Sequence, residues 1–224
     1  MSRNFFIAGT DTDAGKTLIT EALLLKANEA GLRTLGLKPV AAGADETADG
    51  PRNADALKLM QASSVKLPYR QVNPVLFRAP IAPHIAAQQE GRLVTVNTLT
   101  GYVRGAMMTP ADLRLVEGAG GWLVPLNDRE PLSALVQQLQ LDVILVVGMK
   151  LGCLNHALLT AQVIRQAGLK LAGFVATQVD VDMSCVDENL QSLKQMLGCP
   201  CLGFVPFIEG IDAWQAAGHL QLPV

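Results

Sequence analysis

The chain has 224 residues, of which 50% are hydrophobic and 17% charged, and its formal net charge is −2. That length suits one α/β domain (1–224), and no linker, low-complexity run or repeat divides it. Acidic and basic residues are interspersed, which argues against a nucleic-acid partner, and no apolar run approaches the ~20 residues of a membrane helix. The apolar run begins at Phe5, leaving no room for a signal peptide, and Cys153, Cys185, Cys199 and Cys201 form no C-x-x-C pair. Reduced thiols in a soluble, cytoplasmic protein are expected.

The first apolar run, Phe5 to Ala8, reads as a strand and is followed at once by GTDTDAGKT, Gly9 through Thr17. A strand, a glycine loop and a helix in this order form a phosphate cradle: backbone N–H groups converge, and the positive end of the helix adds to them. Lys16 is placed to reach the β- and γ-phosphates, and the Thr17 hydroxyl to ligate Mg²⁺. Five residues separate Gly9 from Gly15 where the common loop has four, so this is a variant phosphate loop with Thr10 in the first glycine's usual place.

Leu18 to Ala30 carries Leu23, Leu24 and Ala27 at helical spacing, and Gly31 stops it. The strand Thr34 to Lys38 ends before Pro39, which holds Lys38 extended at the carboxyl edge, where open α/β sheets bind ligands. A solvated surface lysine is the other reading of Lys38. Val40 to Gly50 reads as a mobile loop and Arg52 to Met60 as a helix, near whose start Asp55 acts either as a cap or as a metal ligand facing the phosphates. Ser63 to Pro83 is rich in proline and irregular, and such long excursions are often functional.

Helices are expected over His84 to Gly91 and Val94 to Met108. The strand Asp112 to Val116 then delivers Glu117 to its carboxyl end before Gly118-Ala119-Gly120-Gly121. A carboxylate there can hold Mg²⁺ or its water, and the glycines permit close backbone approach to a ligand. After a helix over Leu132 to Leu139, Asp142 to Val147 is apolar enough to be a central, doubly covered strand. The helix Asn155 to Ala167 offers free N–H groups around Gly152 to Asn155, a second anion site, although capping by Asn155 is the simpler reading. Leu171 to Thr177, Ser184 to Leu197 and Cys201 to Val205 complete a strand–helix–strand series. The alternation predicts about seven parallel strands with helices on both faces, a doubly wound α/β layer.

Taken together, GTDTDAGKT, the KPV after the second strand, RNADAL around Asp55, VNP, PHI, VEGAGGW and LGCLNHALLT resemble the dethiobiotin synthetases, a family of the P-loop NTPase superfamily. The match runs in the same order from Phe5 to about Pro206, and the last eighteen residues carry little of it. The resemblance implies an ATP-dependent ligase of biotin biosynthesis that closes a ureido ring on 7,8-diaminononanoate with CO₂ and MgATP. It implies catalytic work for Lys38, Lys16 and Thr12, with Lys38 stabilising negative charge, and Mg²⁺ ligation by Thr17, Asp55 and Glu117. Nucleotide binding would fall to Asp13, Ala14, Gly15, Lys16, Thr17 and Leu18, to Glu117, Gly118, Ala119 and Gly120, and to Thr177, Gln178, Pro206, Phe207 and Ile208. Thr12, Lys38 and Ala42 would lie by the diamine. The backbone of Gly152, Cys153, Leu154 and Asn155 would take its carboxylate from a partner subunit, which implies a homodimer and reverses the capping reading.

Three places depart from the family pattern. Ala42 stands where a serine usually follows KPVA, Thr177 and Gln178 where an asparagine often reads the base, and Ala82 where a serine often precedes PHI. A paralogue acting on another diamine is therefore one alternative. A second is a ParA/MinD-like ATPase switch, against which Asp11 counts, because those proteins need a lysine at that place in the loop. A third, the cobyrinate amidase group, usually carries a glutaminase domain, for which this chain has no room.

Overall fold

The computed structural model describes residues 3–223. Its elements, in order, are β1 (Arg3–Gly9), α1 (Lys16–Glu29), β2 (Thr34–Leu37), β3 (Val40–Ala42), β4 (Asp45–Thr47), β5 (Gly50–Arg52), α2 (Ala54–Ala62), α3 (Tyr69–Val72), β6 (Val75–Phe77) and α4 (Pro83–Gln89). There follow α5 (Val96–Met107), β7 (Leu113–Glu117), α6 (Ser133–Leu139), β8 (Asp142–Met149), α7 (Cys153–Gln166), β9 (Leu171–Gln178), α8 (Val186–Met196), β10 (Cys201–Val205) and α9 (Ala213–Gly218).

The main sheet is parallel throughout, in the order β10-β9-β8-β1-β7-β2. It has six strands rather than the expected seven. Each of the six long apolar runs supplies one strand, and the remaining extended segments pair elsewhere. Val40–Ala42 and Val75–Phe77 form a separate parallel pair, and Asp45–Thr47 folds back on Gly50–Arg52. The stretch from Val40 to Gly50 is thus two short strands and a turn rather than a mobile loop.

Alternation along the strands divides the core into two layers. Phe6, Ala8, Val116, Leu145 and Val147 face the layer built by α4 to α8, while Phe5, Ile7, Leu115, Ile144 and Val146 face α1, α2 and α9. Central β8 is covered on both sides, as its composition predicts, and is buried from Val143 to Met149. Leu23, Leu24 and Ala27 of α1 are fully buried. The last residues, outside the family resemblance, are part of this packing. Ala213, Ala216, Ala217 and Leu220 bury against the α1 layer, Lys26 Nζ donates to the Ala217 carbonyl at 3.1 Å, and Arg3 Nη1 donates to that of Pro223 at 2.7 Å.

Two helix starts differ from the sequence reading. Asn53, not Asp55, caps α2 by accepting from Ala56 N, which leaves the Asp55 carboxylate free for another partner. Helix α7 begins at Cys153 behind Gly152 (φ +94°) with no side-chain cap, so Asn155 lies inside the helix and does not cap it.

Candidate active site

The site lies at the carboxyl edge of the sheet, and strand register assembles it. Leu37 of β2 pairs with Val116 of β7, and Ile7 of β1 with Glu117, so the residue after each strand end arrives beside its neighbour. Lys38 Nζ accordingly donates to Glu117 Oε1 at 2.5 Å and to the Gly118 carbonyl at 3.2 Å, and it lies 3.2 Å from Asp55 Oδ2 in the first turn of α2. Thr17, in the first turn of α1, donates its hydroxyl to the same Glu117 oxygen at 2.8 Å. Lys38, Glu117, Asp55 and Thr17 thus form one cluster, drawn from four segments of the chain.

Electrostatics give the cluster its character. Burial pulls the Lys38 ammonium toward deprotonation, but the Glu117 and Asp55 carboxylates more than reverse this and hold its pKa above the ordinary lysine value. Glu117 is fully buried, and its second oxygen, Oε2, has no hydrogen-bond partner. Lys16 is 7% exposed and donates to the Asp11 carbonyl at 3.0 Å. Burial, and then the charge of Lys38, lower its pKa, and the carboxylates of Glu117, Asp55 and Asp13 offset only part of this.

The phosphate loop has the geometry its glycines require. A side chain at Gly9 would sit 2.9 Å from both the Asp11 carbonyl and Lys16 Nζ, and Gly15 has φ +91°. Asp13 takes the left-handed conformation as well, at φ +57°. Thr10 ties the loop to β8, its N–H donating to the Val146 carbonyl at 3.0 Å and its hydroxyl accepting from Gly148 N at 3.2 Å. A hydroxyl in place of the usual first glycine therefore anchors the variant loop to the central strand.

A cavity of about 740 Å³ opens above the cluster. The sequence-derived residues Thr12, Asp13, Gly15, Lys16, Thr17, Lys38, Ala42, Asp55, Ala119 and Gly120 all line it, together with Ile81, Ala82 and Pro83. Ala14 is buried beneath the loop, Leu18 packs against the core, and Gly118 contributes its carbonyl to Lys38. Thr177, Gln178, Pro206, Phe207 and Ile208 are not among the lining residues. Thr177 packs within 3.0 Å of where a Gly15 side chain would begin, with its hydroxyl buried and unpaired, and Gln178 Oε1 accepts from Phe207 N at 3.3 Å. Gly152 to Asn155 also stand apart from this cavity.

Some contacts went unread in the sequence. Lys150 pairs with Asp11 at 2.7 Å, joining the phosphate loop to the turn before α7 and facing a second cavity of about 580 Å³. Tyr69, Asn73 and Asn53 form a hydrogen-bond chain behind Lys38 and Asp55. Only the VNP and RNADA motifs hint at it. Cys199 is partly buried, which pushes its thiol up to about 11, consistent with an inert thiol rather than a redox site. All four cysteines are free. Among the described residues, no group of three or more His, Cys, Asp or Glu side chains could hold a metal ion. None of the described helices is long and apolar enough to cross a membrane.

Residues 3–215 match the family described as an AAA domain. A protein of Cellvibrio japonicus named ATP-dependent dethiobiotin synthetase BioD is 55% identical over 97% of this chain and 95% of its own length. The chain belongs to the dethiobiotin synthetase family. A protein of the same name from Pseudomonas aeruginosa is 51% identical over 97% of the chain and 96% of its own length, and one from Aeromonas hydrophila 48% over 99% and 98%. In fold, the chain is similar to the cell-division ATPase MinD of Pyrococcus furiosus, with a TM-score of 0.58 at 17% identity over 100% of this chain and 90% of that one. Identity that low speaks for the fold alone.

Proposed function

We propose that this chain is an ATP-dependent dethiobiotin synthetase, converting 7,8-diaminononanoate, CO₂ and ATP into dethiobiotin, ADP and phosphate. The observation that carries the reading is the buried Lys38 ammonium, held by Glu117 and Asp55 in the same cavity as Lys16 and Thr17. One amine of the diamine adds to CO₂ and loses a proton, giving a carbamate. A carbamate oxygen then attacks the γ-phosphorus as the bond to the ADP oxygen breaks. The neighbouring amine attacks the resulting acyl carbon, phosphate leaves, and the amine proton passes to water.

The chain's task in this sequence is alignment and charge screening rather than covalent chemistry. Lys16, whose cation is poorly compensated in the free protein, gains its counter-charge from the β- and γ-phosphates. Lys38 stays protonated and offers its N–H groups to the carbamate and the transferring phosphoryl group, where negative charge builds. Thr12 and Ala42, which line the cavity, would lie by the diamine. The donor set of Thr17, Asp55 and Glu117 fits Mg²⁺: all three offer oxygen, and Glu117 Oε2 is buried without a partner. Bound there, Mg²⁺ would neutralise the β- and γ-phosphate oxygens.

The base of ATP would lie near Thr177, Gln178 and Pro206 to Ile208. The uncapped N–H groups of the 14-residue α7, at Gly152 to Asn155, suit the diamine's carboxylate. Their position outside the chain's own cavity favours delivery to a second subunit, hence a homodimer. The chain is read as one domain working in the cytoplasm.

The test is incubation with 7,8-diaminononanoate, ¹³C-bicarbonate, ATP and Mg²⁺, followed by mass spectrometry. Labelled dethiobiotin that requires ATP is the expected result. Intact ATP binding without product would transfer the reading to a paralogue acting on another diamine.

A further inference from the structure

Lys38 and Asp55 come from different segments, the end of β2 and the start of α2, and a third segment holds both. The Tyr69 hydroxyl accepts from Asn53 N at 2.7 Å and donates to Asn73 Oδ1 at 2.9 Å. Asn73 is 2% exposed, and its Nδ2 donates to the carbonyl of Lys38 at 2.7 Å and to that of Val75 at 3.2 Å. On the other side, Asn53 Oδ1 accepts from Ala56 N at 3.2 Å at the head of α2, and its Nδ2 donates to the Gly43 carbonyl at 2.9 Å. The main chain of Lys38 is also held by its own N–H, which donates to the Val72 carbonyl at 2.9 Å. One phenolic oxygen therefore connects the peptide that carries Lys38 to the helix turn that carries Asp55.

This arrangement differs from ordinary loop anchoring in where its ends lie. One end of the hydrogen-bond chain is the carbonyl of Lys38 and the other is Asn53, the cap two residues before Asp55, so the two ends hold the segments whose side chains meet in the ion pair, and every polar side-chain atom named along it has a partner. Satisfied networks of this kind hold a single geometry, because any displacement strands a buried polar group. The Arg52 guanidinium lies 4.4 Å from the centre of the Tyr69 ring, covering the phenol without sharing its hydrogen bonds.

We propose that Tyr69, acting through Asn53 and Asn73, is a positioning residue that sets the separation of Lys38 and Asp55 and so the alignment of the carbamate with the γ-phosphate. The kinetic part of this inference rests on the ligase reading above; the structural part does not. Tyr69→Phe removes the hydroxyl and leaves Asn53 N–H and Asn73 Oδ1 unpaired, with the ring retained.

The experiment pairs steady-state kinetics of Tyr69→Phe with its crystal structure, and uses Arg52→Ala as the control that removes the stacked cation but keeps the hydroxyl. In Tyr69→Phe, kcat is expected to fall about tenfold, since small misplacements at a reacting centre are costly, while KM for ATP stays within about twofold. The ATP term is spared because the phosphate loop hangs on β1 and β8 rather than on this network. In the crystal, the Lys38–Asp55 separation should open beyond about 4 Å, the limit of an ion pair. Arg52→Ala should keep kcat within about twofold of wild type. An unchanged kcat in Tyr69→Phe, an equal loss in kcat and ATP affinity, or an equal effect of Arg52→Ala would overturn the proposal, as would a Lys38–Asp55 contact still at 3.2 Å. Wild-type protein that makes no dethiobiotin would instead defeat the ligase reading, and the crystal structure of Tyr69→Phe would then judge the network alone.

Discussion

Lys38→Met tests the cluster most directly, because it removes a charge while nearly preserving shape. Lys38 and Glu117 have side-chain exposures of 5% and 0% and meet at 2.5 Å, so the variant leaves a carboxylate buried with only the Thr17 hydroxyl on one oxygen and no partner on the other. Removing one member of a buried pair costs about 3–5 kcal/mol. For a chain of this size that corresponds to a fall in Tm of about 6–20 °C, at about 2–4 °C per kcal/mol. Urea unfolding followed by circular dichroism gives the free energy, provided two probes coincide. The double variant Lys38→Met/Glu117→Gln removes both charges and should recover most of the loss, because a buried pair and a neutral replacement differ little in net stability. A single variant that loses under about 1 kcal/mol, or a double variant no better than the single, would refute the account of a buried, mutually dependent pair. In turnover, Lys38→Met should lower kcat by about a hundredfold or more with ATP binding nearly unchanged. Equal losses in both would mean that Lys38 does not act on the transition state.

Lys16→Met is expected to abolish ATP binding by calorimetry yet raise the Tm of the nucleotide-free protein by about 2–4 °C. A base whose folded pKa is lowered costs stability while protonated, so relief of that cost appears at neutral pH; a lower Tm would show that the contact with the Asp11 carbonyl outweighs it. Lys38 has the opposite sign. Its raised folded pKa means that the ion-pair stability is fully present below the ordinary lysine value of about 10.5 and is lost only as pH rises through the higher folded value. The Tm gap between wild type and Lys38→Met should therefore be flat from about pH 7 to about pH 9, and a decline within that window would contradict the shift. Ala42 lines the cavity, and Ala42→Ser should raise kcat about threefold if the added hydroxyl finds substrate, the effect of one modest hydrogen bond. An unchanged rate would show that another group already supplies that contact.

Features that depend on local backbone chemistry were legible in the sequence. Gly9 and Gly15 announce a loop that a side chain would obstruct, Pro39 holds Lys38 at a strand end, and the apolar runs announce the strands themselves. Misreadings arose where a short segment had two local solutions. Asn53 and Asp55 are both good caps two residues apart, and only the packing of α2 decides that Asn53 caps while Asp55 turns to Lys38. Val40 to Gly50 lacks the hydrophobicity of a core strand, so its pairings, with Val75–Phe77 and within its own hairpin, carry no periodic signal.

The sequence by itself determined the parallel α/β layer and the phosphate loop that carries Lys16 and Thr17, and it offered Lys38, Asp55 and Glu117 as candidates at strand and helix ends. The layer and the loop follow from spacing within strand–turn–helix units, where neighbours in sequence are neighbours in space. Tertiary structure alone decided that Lys38 meets Glu117, 79 positions away, because the register of β2 on β7 sets that contact. It likewise brought Asp11 to Lys150, set Tyr69 behind the ion pair and folded α9 onto α1. Such contacts are fixed by strand order and by the satisfaction of buried polar groups, and neither leaves a periodic trace along the chain.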